Sequence, residues 1–209
     1  MTAIEYVESR GLPESVVPDW FLRIGWDRSW PRLGNRLVIP IFSFTGSLLA
    51  LSGRALSNED KPKYLFTPGF DKQRWLYGAW QEVRSTPVIV EGYLDVWALS
   101  LCGYTSFAIM GSSISDWQVA LIAGMSKTAI IYPHADDDGR TWQAKLREYG
   151  VKTAVPNHPY PMGAPMKANG DAETADPHWL YVNQQMWLER NLELCNTQLT
   201  EPTLEELLR

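Results

Sequence analysis

Glu91 closes the apolar run PVIV, and His134 stands one alanine ahead of three consecutive aspartates, Asp136 to Asp138, just after the run KTAIIYP. Carboxylates crowded in this way repel one another and raise each other's pKa unless a cation sits among them. Oxygen ligands drawn from two places on one surface are how a protein holds a hard divalent ion such as Mg²⁺, which shares its shell with substrate phosphates. Asp95 lies one helical turn after Glu91, facing the same place, and Gly92 suits a tight turn between them. Either cluster alone reads better as a solvated acidic loop. The pairing of the two makes a metal site the better reading. A second group is basic. Residues 23–74 hold nine Lys and Arg against four Asp and Glu, a local +5 in a chain of net charge −5. Charge separated in this way is an electrostatic hint of a polyanionic partner, although on charge alone a solvated surface is the better reading.

Elements of alternating type must position these groups. Thr2 and Glu5 stand at capping-box spacing and predict a helix that ends near Gly11. LPESVVPDWFLR reads as a further helical turn or two, broken by Pro18. The stretch 35–56 has two apolar runs around SFTGS, which predicts a β-hairpin. SNEDKPKYLFTPGFDKQRW is polar and proline-bearing, and reads as an ordered loop rather than a strand. From Pro87 the pattern changes to strand 87–90, helix 93–103, strand 105–110, helix 115–124, strand 127–133, helix 140–150 and strand 151–155. Strands that are apolar throughout, alternating with helices, imply a parallel sheet covered on both faces. Ligands of such sheets bind at the carboxyl ends of the strands. Glu91 and the HADDDG cluster both fall on that edge, with Gly139 turning the chain into the helix at 140. HWLYVNQQMWLERNLELC, near the C-terminus, predicts an amphipathic helix.

Composition narrows the class. The chain has 209 residues, 45% hydrophobic and 21% charged, with 10 Trp and 14 Pro. No apolar run approaches the length of about 18 residues that spans a bilayer, and MTAIEYVESRG lacks the basic start of a signal peptide. The expectation is a cytoplasmic protein with no membrane partner. Cys102 and Cys195 are too few for a zinc module and read as reduced, buried thiols.

VIVEGYLDVWAL, FAIMGSSIS and AIIYPHADDDGR, in that order and spacing, resemble the Toprim domain of bacterial-type DNA primases. RLVIPI, LLALSGRAL and KPKYLFTPGFDKQRWLYG resemble the basic subdomain that precedes Toprim in those enzymes. Together the two cover about residues 10–155. The resemblance implies an α+β N-terminal subdomain over 1–84, a Toprim Rossmann-like parallel sheet flanked by helices over 85–157, and an acidic loop with a C-terminal helical segment over 158–209. It implies that Glu91 organises metal or acts as general base, and that Asp95 and Asp136 join it as catalytic residues. Arg36, Arg54, Lys63, Lys72 and Arg74 then face template or nucleotide phosphates. The family pattern is Asp-x-Asp followed three residues later by Gly. Counted back from Gly139, this places His134 at the first metal-ligand position and Asp136 at the second. Asp137 or Asp138, with a shifted turn, is the alternative ligand. A histidine ligand suits Mn²⁺ or Zn²⁺ better than Mg²⁺. Asp176, before Pro177, falls where primases carry a further acidic ligand and serves equally as a helix N-cap; Asp171 stands in the same region.

The reading is a primase core that makes short RNA primers on a single-stranded DNA template from nucleoside triphosphates, using two or more Mg²⁺ or Mn²⁺ ions. Either a helicase and a zinc-module protein act in trans, or the gene belongs to a phage or mobile element with a trimmed replication system. A Toprim metal-dependent nuclease and a non-catalytic nucleic-acid-binding remnant are the alternatives.

Overall fold

Thr2 opens the first helix as expected. Its Oγ1 accepts the Glu5 N–H at 3.1 Å and Glu5 Oε2 accepts the Thr2 N–H at 2.7 Å, a capping box at the head of α1 (Ala3–Ser9). The computed structural model describes residues 1–25, 33–57, 59–132, 138–156 and 177–200, with Asp138, Gly139 and Gln184 described by backbone alone. Two compact units divide the chain, Met1–Asp71 and Lys72–Arg209.

In the first unit α2 (Val16–Asp19) contains Pro18 rather than being broken by it. The proline stands in the first helical turn, where an N–H would have no intrahelical partner anyway. Four antiparallel strands follow, β1 (Arg23–Ile24), β2 (Arg36–Phe42), β3 (Leu48–Ala55) and β4 (Tyr64–Phe66), paired in sequence order. β2 and β3 form the expected hairpin, and Gly46 supplies its turn at φ 79°. β4 corrects the loop expected around it. Tyr64, Leu65 and Phe66 pair with Arg54, Gly53 and Ser52 along the edge that β2 leaves open on β3. Three apolar or aromatic residues suffice once a partner strand offers unpaired backbone groups. Tyr6, Val7 and Leu12, with Leu37, Ile39 and Ile41, are buried in this unit.

The second unit is α/β, as the sequence predicts. β5 (Val88–Val90), β6 (Ser106–Ala108), β7 (Thr128–Ile131) and β8 (Lys152–Ala154) form a parallel sheet in the order β6-β5-β7-β8. Helices α3 (Tyr93–Leu101), α4 (Asp116–Met125), α5 (Asp138–Glu148) and α6 (Pro177–Thr200) accompany it. Ile89, Phe107 and Ile131 pack with Val119, Ile122, Trp142 and Leu146 of α4 and α5. α3 packs with α6, and Val96, Trp97, Leu99, Leu188 and Leu192 are buried. Each fully buried side chain of this kind stabilises by about 1.5–3 kcal/mol, enough to fix the register of strands only three or four residues long. α5 begins at Asp138, two residues earlier than expected, so Gly139 lies inside its first turn. An acidic residue there is favoured by the helix dipole. Both cysteines are free; Cys195 is buried as expected, whereas Cys102, which caps α3, is only half-buried.

Candidate functional site

β5 pairs in parallel with both β6 and β7, so their carboxyl ends share one edge. Glu91 follows β5 directly on that edge and is half-buried. Its carbonyl accepts the Met110 N–H at 3.0 Å, as the Val90 carbonyl accepts Ile109 N–H at 3.0 Å, so the loop leaving β6 is bonded to the Glu91 turn. Asp95, in the first turn of α3, is 4% exposed. Its Oδ2 accepts the Gly92 N–H at 3.2 Å and its Oδ1 the His178 N–H at 3.3 Å. One buried carboxylate thus holds the Glu91–Gly92 turn and the start of α6 together. Glu91 and Asp95 are brought together. His134, Asp136, Asp137, Asp171 and Asp176 lie outside the described residues, and of Asp138 only the helical backbone is described.

The loop between β6 and α4 is gripped by side chains from three directions. Lys72, at the start of the 3₁₀ turn Lys72–Arg74, donates from Nζ to the Met110 carbonyl at 2.8 Å. Met110 adopts φ 59°, a left-handed conformation that costs a non-glycine residue about 1–3 kcal/mol and persists only where its surroundings enforce it. A Cβ at neighbouring Gly111 would stand 3.2 Å from Lys72 Nζ, so glycine there leaves room for the ammonium. From α5, Trp142 Nε1 donates to Ser112 O at 3.1 Å and Lys145 Nζ to Ile114 O at 3.2 Å. Gln118 completes the grip. Besides its expected capping box with Ser115, its Nε2 donates to the carbonyls of Lys72 (3.2 Å), Trp75 (2.9 Å) and Ile109 (2.9 Å). Ser115 Oγ also donates to Gln73 O. The 3₁₀ turn carrying Lys72 and Arg74 is therefore fastened to the loop leaving β6. Arg74 lays its guanidinium over the Trp117 ring, 4.9 Å from its centroid.

The first unit holds the other nominated cations. Arg54 lies over the rings of Tyr6 (5.6 Å) and Tyr64 (5.2 Å) and donates from Nη1 to the Tyr64 hydroxyl. Its Nε is buried without a hydrogen-bond partner. Lys63 Nζ lies 5.9 Å from the Tyr64 centroid. Partial burial, then the charges of Arg54, Arg10 and Lys61, hold the Lys63 ammonium below the usual lysine range. An anion docked there would relieve that repulsion. Arg36 differs. It is 7% exposed and gives Nη1 to Pro62 O (2.8 Å) and Gly53 O (3.3 Å), and Nη2 to Lys61 O (3.5 Å), which ties the 61–62 segment to the hairpin. Arg10 and Lys61 were not singled out from the sequence; a lone arginine at a helix end carries no signal of its own.

Among the described residues no helix is long and apolar enough to cross a membrane, and no three His, Cys, Asp or Glu are grouped to hold a metal ion.

Residues 23–83 match the model of the DNA primase catalytic core, N-terminal domain. The chain is 29% identical over 181 residues to a DNA primase of Legionella pneumophila, covering 68% of this chain and 31% of that protein. It is 35% identical over 121 residues to a DNA primase of Halalkalibacterium halodurans, covering 54% of this chain and 20% of that one. It therefore spans between a fifth and a third of these relatives. Its fold is similar to the DnaG primase catalytic domain bound to single-stranded DNA, with a TM-score of 0.68 at 24% identity over 92% of this chain and 71% of that one. The α/β fold expected from the sequence is that of the primase catalytic core.

Proposed function

We propose that the chain acts as the catalytic core of a DNA primase, an RNA-polymerising nucleotidyltransferase that extends short primers on single-stranded DNA. The observation that carries this reading is a coincidence between its two parts. A primase-type N-terminal segment is joined to a separate parallel sheet whose carboxyl edge presents Glu91. Residues 85–157 are read as the Toprim domain, and His134, Asp136, Asp138 and Asp176 as its further ligand candidates.

In this reading the 3′-hydroxyl oxygen of the primer attacks the α-phosphorus of a nucleoside triphosphate. The new P–O bond forms as the bond to pyrophosphate breaks, and the Glu91 carboxylate accepts the hydroxyl proton. Lys72, held at the edge by its bond to Met110, offers positive charge to the triphosphate. Asp95 fixes the Glu91 turn. Arg54, Lys63 and Arg10 grip backbone phosphates in the first unit, where cations lie close together. Carboxylate oxygens at a strand end are the donor type that hard divalent ions prefer. Glu91, with Asp136 and either His134 or Asp138, would hold Mg²⁺ or Mn²⁺, which when bound neutralises charge developing on the phosphates.

Labelled-nucleotide incorporation on a bare single-stranded template tests the proposal, run separately in Mg²⁺ and Mn²⁺. Primer-length RNA is the expected product, with a relative gain in Mn²⁺ if His134 is a ligand. Glu91→Gln should reduce synthesis at least about a hundredfold, the scale at which a lost proton acceptor acts, with melting unchanged. Template cleavage in place of synthesis would refute the proposal.

A further inference from the structure

Trp117 is 61% exposed, in the first turn of α4 beside the fastened loop, and its ring is covered on one side by the Arg74 guanidinium. A lone exposed apolar residue is ordinary. This one is held. Its helix start is fixed by the Ser115–Gln118 capping box, and the turn carrying Arg74 is fixed by Gln118 and Ser115. The surrounding charge favours a polyanion, because Arg74 and Lys72 are cationic and Asp116, the nearest acid in sequence, is paired with Lys145 at 2.9 Å. A preordered indole, cation-backed and still largely exposed, is the arrangement on which a nucleobase stacks.

We infer that Trp117 is a stacking platform for one base of the single-stranded DNA template, with Arg74 backing the ring and meeting the adjoining phosphate. This rests on the primase reading. It adds a contact that attracts bases rather than charge, so its signature differs from that of the basic residues. Phosphate contacts set the slope of log affinity against log salt, whereas stacking on an aromatic ring shifts affinity at every salt concentration alike.

The test is fluorescence anisotropy of a labelled oligo-dT strand, and of the same strand with abasic sites, over a salt series. Trp117→Ala should weaken binding to oligo-dT about tenfold with an unchanged salt slope, in line with stacking on one ring. Trp117→Phe should recover most of that loss. On the abasic strand, wild type and Trp117→Ala should bind equally. Arg74→Ala should reduce both the affinity and the slope. Because Trp117 is exposed, the variants should melt as wild type does, and melting curves check this. Equal oligo-dT binding by wild type and Trp117→Ala would overturn the platform while leaving the primase reading in place. A loss confined to the KM for nucleotide, with DNA affinity intact, would overturn the assignment to the template. Failure of wild type to bind single-stranded DNA at all would overturn both.

Discussion

Gln118→Met removes the carboxamide that fastens the Lys72–Arg74 turn to the loop leaving β6, and its cost can be worked from the structure. Gln118 is 1% exposed, and methionine has nearly its shape, so the change opens little cavity. Three carbonyls lose their Nε2 donor, and Ser115 N–H loses its acceptor at 3.1 Å. The Lys72 carbonyl keeps the Trp75 N–H at 3.3 Å, so the loss falls chiefly on Trp75 and Ile109. A buried group left unsatisfied costs about 1–3 kcal/mol, and two such carbonyls put the substitution at about 2–6 kcal/mol in total. For a chain of this size each kcal/mol moves the melting temperature by about 2–4 °C, so a fall of about 4–24 °C is expected. Gln118→Glu should be worse, because a carboxylate would face three carbonyl oxygens. Asp116→Asn is the control. It breaks only an exposed ion pair and should cost no more than about 1 kcal/mol. Thermal melting followed by circular dichroism measures all three. A Gln118→Met protein that melts within about 1 °C of wild type would refute the claim that the carboxamide carries the fastening.

Lys63→Ala should flatten the dependence of log affinity for single-stranded DNA on log salt by about 0.7, the value for one phosphate contact on a single strand; an unchanged slope would remove Lys63 from the interface. Arg36→Ala should instead lower the melting temperature, by an amount corresponding to about 1–3 kcal/mol, because its guanidinium holds three backbone carbonyls. The thiols should resist alkylation. Burial, then the Glu189 charge, pushes Cys102 up to about 12, and burial takes Cys195 to about 11. At pH 8 both should react with iodoacetamide at least about a hundredfold more slowly than an unperturbed cysteine, since only thiolate reacts. Glu189→Gln should speed Cys102 and leave Cys195 unchanged; equal acceleration of both would show a general loosening instead.

What was legible in the sequence follows from where its information is stored. Apolar runs alternating with helices specified the parallel sheet, and the parallel sheet by itself puts the ends of β5 and β7 on one edge. That is why Glu91 could be placed without coordinates. Thr2 with Glu5 and Ser115 with Gln118 announced two helix starts, because a capping box needs particular side chains at a fixed short spacing. β4 was missed because three residues carry too little pattern, and their strand identity comes from the open edge of β3. The grip on the loop leaving β6 was missed for a deeper reason. Gln118 reaches Lys72 across 46 positions, Trp142 reaches Ser112 across 30, and Arg36 reaches Pro62 across 26. In each case the acceptor is a backbone carbonyl, which every residue possesses, so no residue type marks the partner.

The same limit separates the five nominated cations, which a count of charge treats as equal. Hydrogen-bonding capacity, unlike a count of charge, is directional and can be spent. Arg36 gives donors to three carbonyls from a buried position. Lys72 gives one of three donors to Met110. Arg54 lies against Tyr6 and Tyr64, yet keeps a buried Nε without a partner. Lys63 and Arg74 are exposed and can meet a phosphate directly. Salt screens a charge at distance within about 8 Å at physiological ionic strength, whereas a contact pair releases a condensed counterion when it forms. The exposed lysine and arginine should therefore dominate the salt slope, and the buried arginine should dominate the stability of the loop it holds. Under the proposed function, cations that composition treats alike are in this way divided between those with donors left for a phosphate and one that holds its own loop in place.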